Sequence, residues 1–434
     1  MTTNERLERT MSAWLRDDAA FRVPDHLDEV LAVTRDTRQR PAWSSLERWL
    51  PVDTTFRPRL FTVPSAARVI AVAALLLLIL AIAILAVGSQ PRLPEPFGIA
   101  RNGVFLTSRD GDIYRIDPKT AESQPLGLGD GFDFSPIFSR DGTKFTFLRS
   151  DGPLTEPAVL TLYVANADGS DLRAVTPPTE SLDWFDWSPD GTRIAYMAEG
   201  SLYVADLAGG DPGRLAGAGR IHFPTWLPPD GKEILFRVET NNPAIFAISP
   251  DGDAKRRAVS KTPANNRYDY QSIALSPDGS HLIFTRWAEN GPDGEPYPAR
   301  LGWLPRVYVM DIATGAEVVL PTRSGTGQRG GAYSPDGKLV AYARIYREGA
   351  FQLVVANADG SGNERTVGDK RPGKPDGSDV NATWTFTPDG KALLVRYGND
   401  TQATTNLVPL DGTPPTSIEG SGGFEFVDVQ RLAP

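Results

Sequence analysis

The chain has no cysteine among its 434 residues, which excludes disulfides, thiolate nucleophiles and cysteine-ligated zinc or iron–sulfur centres. Histidine is almost as scarce, and His26, His222 and His281 leave little for an imidazole metal cage. Also missing are a Gly-x-Ser-x-Gly elbow, a His-Glu-x-x-His helix and a Walker loop. The chain therefore reads as a non-enzyme that needs no metal or cofactor. Basic residues are in deficit, 45 against 54 acidic, for a formal charge of −9. Nucleic acid, which wants a basic face, is not an expected partner.

Turn formers are abundant instead: Gly and Pro supply 78 residues, about 18% against the roughly 12% of average usage. One segment departs from this composition. Residues 69–87 (VIAVAALLLLILAIAILAV) are 19 consecutive apolar residues, matching the roughly 20 that cross a bilayer as a helix. Arg57, Arg59 and Arg68 precede the run, whereas Arg92 and Arg101, partly offset by Glu95, follow it. That bias predicts a single-pass protein with its N-terminus in the cytoplasm and the rest extracytoplasmic. The outer part is acidic, with 34 basic and 44 acidic side chains over 88–434. The expected domains are a cytosolic helical segment (1–66), a transmembrane helix (67–88), a linker (89–98) and a large β domain (99–432).

A repeat dominates the large domain. FSRDGTKFTFL, WSPDGTRIAYM, LPPDGKEILFR, LSPDGSHLIFT, YSPDGKLVAYA and FTPDGKALLVR place Asp141, Asp190, Asp230, Asp278, Asp336 and Asp389 at intervals of 40–58 residues. Pro presets φ at the second turn position, Asp bonds back to the backbone, and Gly takes the positive φ that ends the turn. A strand is expected on each side. A second strand pair follows each turn, as in LYVANADGSDLRAV (162–175) and VYVMDIATGAEVVL (307–320), so each repeat holds four short strands, a to d. This is the pattern of a propeller blade.

These repeats resemble the WD40-like, TolB-type β-propeller family, whose motif is aromatic-Ser-Pro-Asp-Gly followed by two such strands. The resemblance covers about residues 98–430 and implies fold more than function, since propellers serve as scaffolds, receptors, hydrolase gates and lyases. The expected fold class is all-β, a seven-bladed propeller with a small N-terminal α-helical segment and one transmembrane helix. Residues 103–126 read as strands b, c and d without a strand a, and 422–432 supply one unpaired strand that would close the ring. Six blades, with 98–126 as an appendage, is the alternative. The propeller also resembles the gating domains of prolyl-peptidase-type enzymes, but no hydrolase domain accompanies it in these residues.

Turns a–b and c–d are short and uniform, so variable loops gather on the opposite face, at 150–158, 260–270, 286–305 and 368–382. Function is expected there, pointing away from the membrane. The position five before the first turn residue is Phe134, Asp183, Gln271, Arg329 and Ala382 in five repeats, and aligning on Trp226 in the one-residue-longer repeat adds His222. Its polar members Asp183, His222, Gln271 and Arg329 are candidate ligand-binding residues at a channel mouth. Tyr268, Tyr270, Trp287, Tyr297 and Trp303 on the long loops are candidate anchors. A water-filled rim and ordinary loop packing would explain both sets equally.

Within the first segment, Leu7, Met11, Trp14 and Leu15 fall at helical spacing, and Leu27, Val30 and Leu31 follow Pro24 in a second helical pattern. Some 50 residues of short helices scarcely bury a core of their own. The arrangement is similar to anti-sigma-type membrane regulators in topology, without their His-x-x-x-Cys-x-x-Cys zinc pattern. It implies a cytosolic regulator as a partner of residues 1–60; Trp43 and Trp49 suit a lipid surface as well. The reading is of a membrane-anchored extracytoplasmic propeller that binds a protein, peptide or envelope polymer. An enzyme, a lyase or hydrolase using channel-mouth polar groups, is the alternative.

Overall fold

The structure, a computed structural model, describes residues 73–77, 93–152, 158–217, 220–239, 244–252, 255–260, 271–287, 305–346, 348–373, 382–399, 402–418 and 427–433. It divides into two units, 1–89 and 90–434. In the first, residues 73–77 are helical with Leu75, Leu76 and Leu77 exposed. Among the described residues no helix is long and apolar enough to cross a membrane. The rest of the 69–87 run, and the helices expected in residues 1–66, lie outside the described residues.

The second unit holds seven antiparallel sheets of four strands each. In every sheet but one the four strands follow one another in sequence. The exception pairs Val427–Leu432 with Arg101–Arg109, placing Val429 opposite Phe105, and continues through Asp112–Ile116 and Ser123–Pro125. The last strand is thus strand a of the first blade, and the count is seven, not six. Arg101 Nε donates to Ala433 O at 2.6 Å across this seam.

Middle strands read as continuous apolar runs because both faces of a blade pack on neighbours. In Leu339–Ile345 every residue after the first is buried, and Phe145, Phe147 and Leu148 are buried in Lys144–Ser150. Each interface between blades is a small core. Phe134, Leu148 and Leu162 meet Leu182, Trp187 and Tyr196 between the second and third blades. Each such Leu or Phe contributes about 1.5–3 kcal/mol when fully buried. Most outer strands are short and exposed, as in Ser123–Pro125 and Arg257–Ala258, which limits edge-to-edge pairing; Arg365–Arg371 of the sixth blade is longer.

The repeated turn folds as its chemistry requires. Ser334 Oγ donates to Asp336 Oδ1 at 2.6 Å and accepts from Leu339 N at 2.9 Å, while Asp336 Oδ1 accepts from Lys338 N at 3.1 Å. The same three bonds recur around Asp141, Asp190, Asp278 and Asp389. Gly279 illustrates why the fourth position is glycine: its φ is +70°, and a Cβ there would stand 1.9 Å from Pro228 O of the preceding blade.

A second recurrent device carries no such signature. Strand a bulges in five blades, with register breaks at Phe134/Ile137, Asp183/Phe185, His222/Thr225, Gln271/Ala274 and Arg329/Ala332. Ser135, Phe223, Ser272 and Gly330 take positive φ at four of them. A bulge re-aims the side chains that follow it. The residues beyond the break, not those before it, line the channel.

Candidate functional site at the channel mouth

Residues 93–100 lead into the first blade across the face that carries the Ser-Pro-Asp-Gly turns. Ala100 N donates to Pro388 O at 2.8 Å, and Arg431 Nη2 donates to Gly98 O at 2.8 Å and Glu95 O at 3.1 Å. These bonds seat Phe97 at the channel mouth, where the Arg140 guanidinium lies 5.4 Å from its ring centroid.

Behind Phe97 runs a channel of about 460 Å³ lined by strand a of all seven blades. The ring two places before each turn residue is small or apolar at Ile137, Ala274 and Ala332 but acidic at Asp186. The closing strand places Asp428 at the equivalent position, beside a further cavity of about 180 Å³. Both carboxylates reach to the next blade. Asp186 Oδ2 accepts from Trp226 N at 2.9 Å, and Asp428 Oδ2 accepts from Phe138 N at 2.7 Å. Asp186 Oδ1 also pairs with Arg140 Nη2 at 2.7 Å.

Burial pushes both carboxyls above their ordinary range, although Arg140 and the backbone donor pull Asp186 back, as the backbone donors of Phe138 and Val429 do Asp428. Burial and then the Arg140 charge push the Arg431 guanidinium down to about 10. The Nε atoms of Arg140 and Arg431 are buried without a hydrogen-bond partner. A pair of carboxylates and a pair of guanidiniums thus share one half-buried mouth.

Beside the mouth, a groove of about 750 Å³ opens between the fifth and sixth blades on the same face. Its apolar floor is Val309, Val318, Leu320 and Tyr333, and Phe97 lines both the groove and the channel. Val318 is 63% exposed, unusual for a valine in a strand. The Tyr333 hydroxyl is buried with no hydrogen-bond partner. Asp278, Asp311, Asp336 and Asp359 form the rim.

The residues singled out in the sequence fall elsewhere. Asp183, His222, Gln271 and Arg329 stand at equivalent places near the start of strand a, ahead of the bulge, and none lines a described cavity. Asp183 is exposed, and His222 Nε2 is 2.6 Å from Glu239 Oε2. Phe134, at the same place in the second blade, is buried between blades. Their successors Trp184 and Phe223 do line the channel, with ring centroids 4.6 Å apart. Trp287 ends strand b of the fifth blade. Tyr268, Tyr270, Tyr297 and Trp303, with most of the long loops, lie outside the described residues.

Phe97, Asp186, Asp428 and Val318 line these cavities without belonging to any motif of the sequence. An acidic residue two places before the turn, in a ring otherwise small or apolar, is the signal for Asp186; Asp428 has no turn after it and only the ring closure aligns it. Among the described residues no group of three or more His, Asp or Glu is placed to hold a metal ion.

No family model matches this chain. An uncharacterised protein of Agrobacterium fabrum is 29% identical over 202 residues, 45% of this chain and 61% of that protein. Dipeptidyl-peptidase 5 of Porphyromonas endodontalis is 25% identical over 275 residues, 61% of this chain. The chain spans only 36% of that enzyme's length. Among solved structures, a prolyl endopeptidase superposes with a TM-score of 0.52 at 14% identity, covering 77% of this chain and 50% of that one. An oligogalacturonate lyase in complex with manganese gives 0.50 at 17%, covering 69% and 82%. TolB from Acinetobacter baumannii gives 0.42 at 18%, covering 65% and 67%. At these identities the likeness is one of fold.

Proposed function

We propose that this chain is a membrane-anchored, extracytoplasmic propeller that binds a protein, peptide or envelope polymer, and that its N-terminal segment reports to a cytosolic regulator. The observation that carries the binding reading is the concave surface of the turn face, where the channel mouth and the groove of about 750 Å³ meet around Phe97. Concave, largely apolar sites with a few convergent polar groups are where ligands bind. The anchor rests on the 19 apolar residues of 69–87, and the extracytoplasmic side on the arginines that precede them. Cross-linked co-purification from native membranes tests this, comparing the full-length chain with one lacking residues 2–55. A transcription regulator captured by the full-length form alone supports transmembrane reporting. Retrieval of the same envelope partners by both confines the function to the propeller, and retrieval of nothing by either overturns the binding reading.

A second reading is enzymatic, and Asp186 and Asp428 favour it. Carboxyls with raised pKa at a cavity have the properties general acid–base chemistry needs. It requires that folded Asp186→Asn and Asp428→Asn variants lose a measured hydrolase or lyase activity of the wild-type chain.

A further inference from the structure

We propose that the groove between the fifth and sixth blades is a docking site for an extended, cationic and apolar segment of a partner protein. The proposal rests on the binding reading above and adds the place and the chemistry of the partner. Charge complementarity selects the occupant. The rim carries four carboxylates drawn from four turns, Asp278, Asp311, Asp336 and Asp359, around an apolar floor. Lys338, 3.9 Å from Asp336, offsets one of them, and His281, which also lines the groove, acts on Asp278 and Asp311.

Each aspartate uses one oxygen, Oδ1, to close its own turn: Asp278 with Ser276 and Ser280, Asp311 with Thr314, Asp359 with Ser361. The second oxygens of Asp278, Asp311 and Asp359 have no partner among the described residues and are available to basic side chains. Between these charges lies apolar surface that a soluble protein normally covers, with Val318 exposed and Tyr333 Oη buried and unpartnered. A segment with basic side chains at the rim and apolar ones on the floor satisfies both. A purely anionic or purely polar segment satisfies neither.

The test uses the full-length chain in detergent micelles and three fluorescein-labelled, amidated hexapeptides: Lys-Leu-Val-Lys-Leu-Val, Glu-Leu-Val-Glu-Leu-Val and Lys-Ser-Ser-Lys-Ser-Ser. Fluorescence anisotropy should rise for the first and stay flat for the others. The affinity for the first should fall at least about tenfold in Val318→Asp, and about tenfold in the double variant Asp311→Asn with Asp359→Asn, which keeps an oxygen at each turn. It should weaken as salt rises, because the rim is exposed. An unchanged unfolding midpoint certifies each variant, and the double variant decides if Val318→Asp does not fold. Equal binding of the acidic peptide, or binding unaffected by both variants, overturns the proposal. So does concentration-dependent dimerisation abolished by Val318→Asp without peptide binding, which would make a second copy the occupant. If no peptide binds while the chain still retrieves partners from membranes, the groove assignment falls and the binding function stands. If both fail, both fall.

Discussion

The aspartates of the channel and those of the turn face are the same residue in opposite states. In the channel, Asp186 and Asp428 are desolvated, reach across to the next blade, and have carboxyls raised above the ordinary range. On the turns, the hydroxyl and backbone donors of Thr314 hold Asp311 below that range, and those of Ser361 do the same for Asp359. Burial opposes the shift at Asp278, but the donors of Ser276 and Ser280 outweigh it. The turn aspartates therefore remain charged at the rim. The channel aspartates carry the fold between blades at an electrostatic cost.

The largest expected effect tests the turn half of this comparison. Gly279→Ala forces a Cβ against Pro228 O at positive φ and should lower unfolding stability by about 2–4 kcal/mol in chemical denaturation. Gly412→Ala, also at positive φ but with open space around it, should lose only about 1 kcal/mol. Next comes the channel half. Asp186→Ala leaves Trp226 N–H and the Arg140 guanidinium without their acceptor and should lose about 2–3 kcal/mol. Asp186→Asn keeps an oxygen for Trp226 and should lose less; a difference near zero would show that the charge pair, not the backbone bond, is what matters. Ser334→Ala, which removes one donor and one acceptor from a single turn, should lose about 1 kcal/mol.

The smallest effect is on pH dependence, and its sign separates the two sets. Turn carboxyls lowered in the folded state contribute stability that is present above 3.8 and lost as pH falls through their folded values. Asp186 and Asp428 are raised, so the folded state holds their protons more tightly. Their contribution is full below 3.8 and is lost as pH rises through the folded pKa. Unfolding midpoints of wild type and Asp186→Asn, measured from pH 3 upward, should therefore converge as the pH rises, with the wild type favoured at the acid end. Divergence in the other direction would mean that the Asp186 carboxyl is lowered, not raised.

How much of this was legible follows from where each signal lies along the chain. The turns were readable because Ser, Pro, Asp and Gly each serve a local bond within six residues. Ring closure was readable because 422–432 left one strand without a mate. The bulges were not, since Ser135, Phe223 and Ser272 take positive φ without being glycine, and only Gly330 hints at it. That hidden offset is why Asp183, His222 and Arg329 fall short of the channel and Asp186 reaches it. The groove was unreadable for another reason: Asp278, Asp311, Asp336 and Asp359 each explain themselves as turn chemistry, and only the fold brings four turns to one rim. Phe97 was hidden in a linker, with nothing nearby to mark it as the residue that seats in the mouth.

The most direct measurement is site-specific photo-crosslinking in native membranes, with benzoylphenylalanine at Val318 in the groove or at Tyr297 in the 286–305 loop, which the strand pattern is expected to put on the opposite face. The account predicts a polypeptide adduct from Val318 that an excess of Lys-Leu-Val-Lys-Leu-Val suppresses and the acidic hexapeptide does not. An adduct from Tyr297 with none from Val318 would contradict it and move the working surface to the loops.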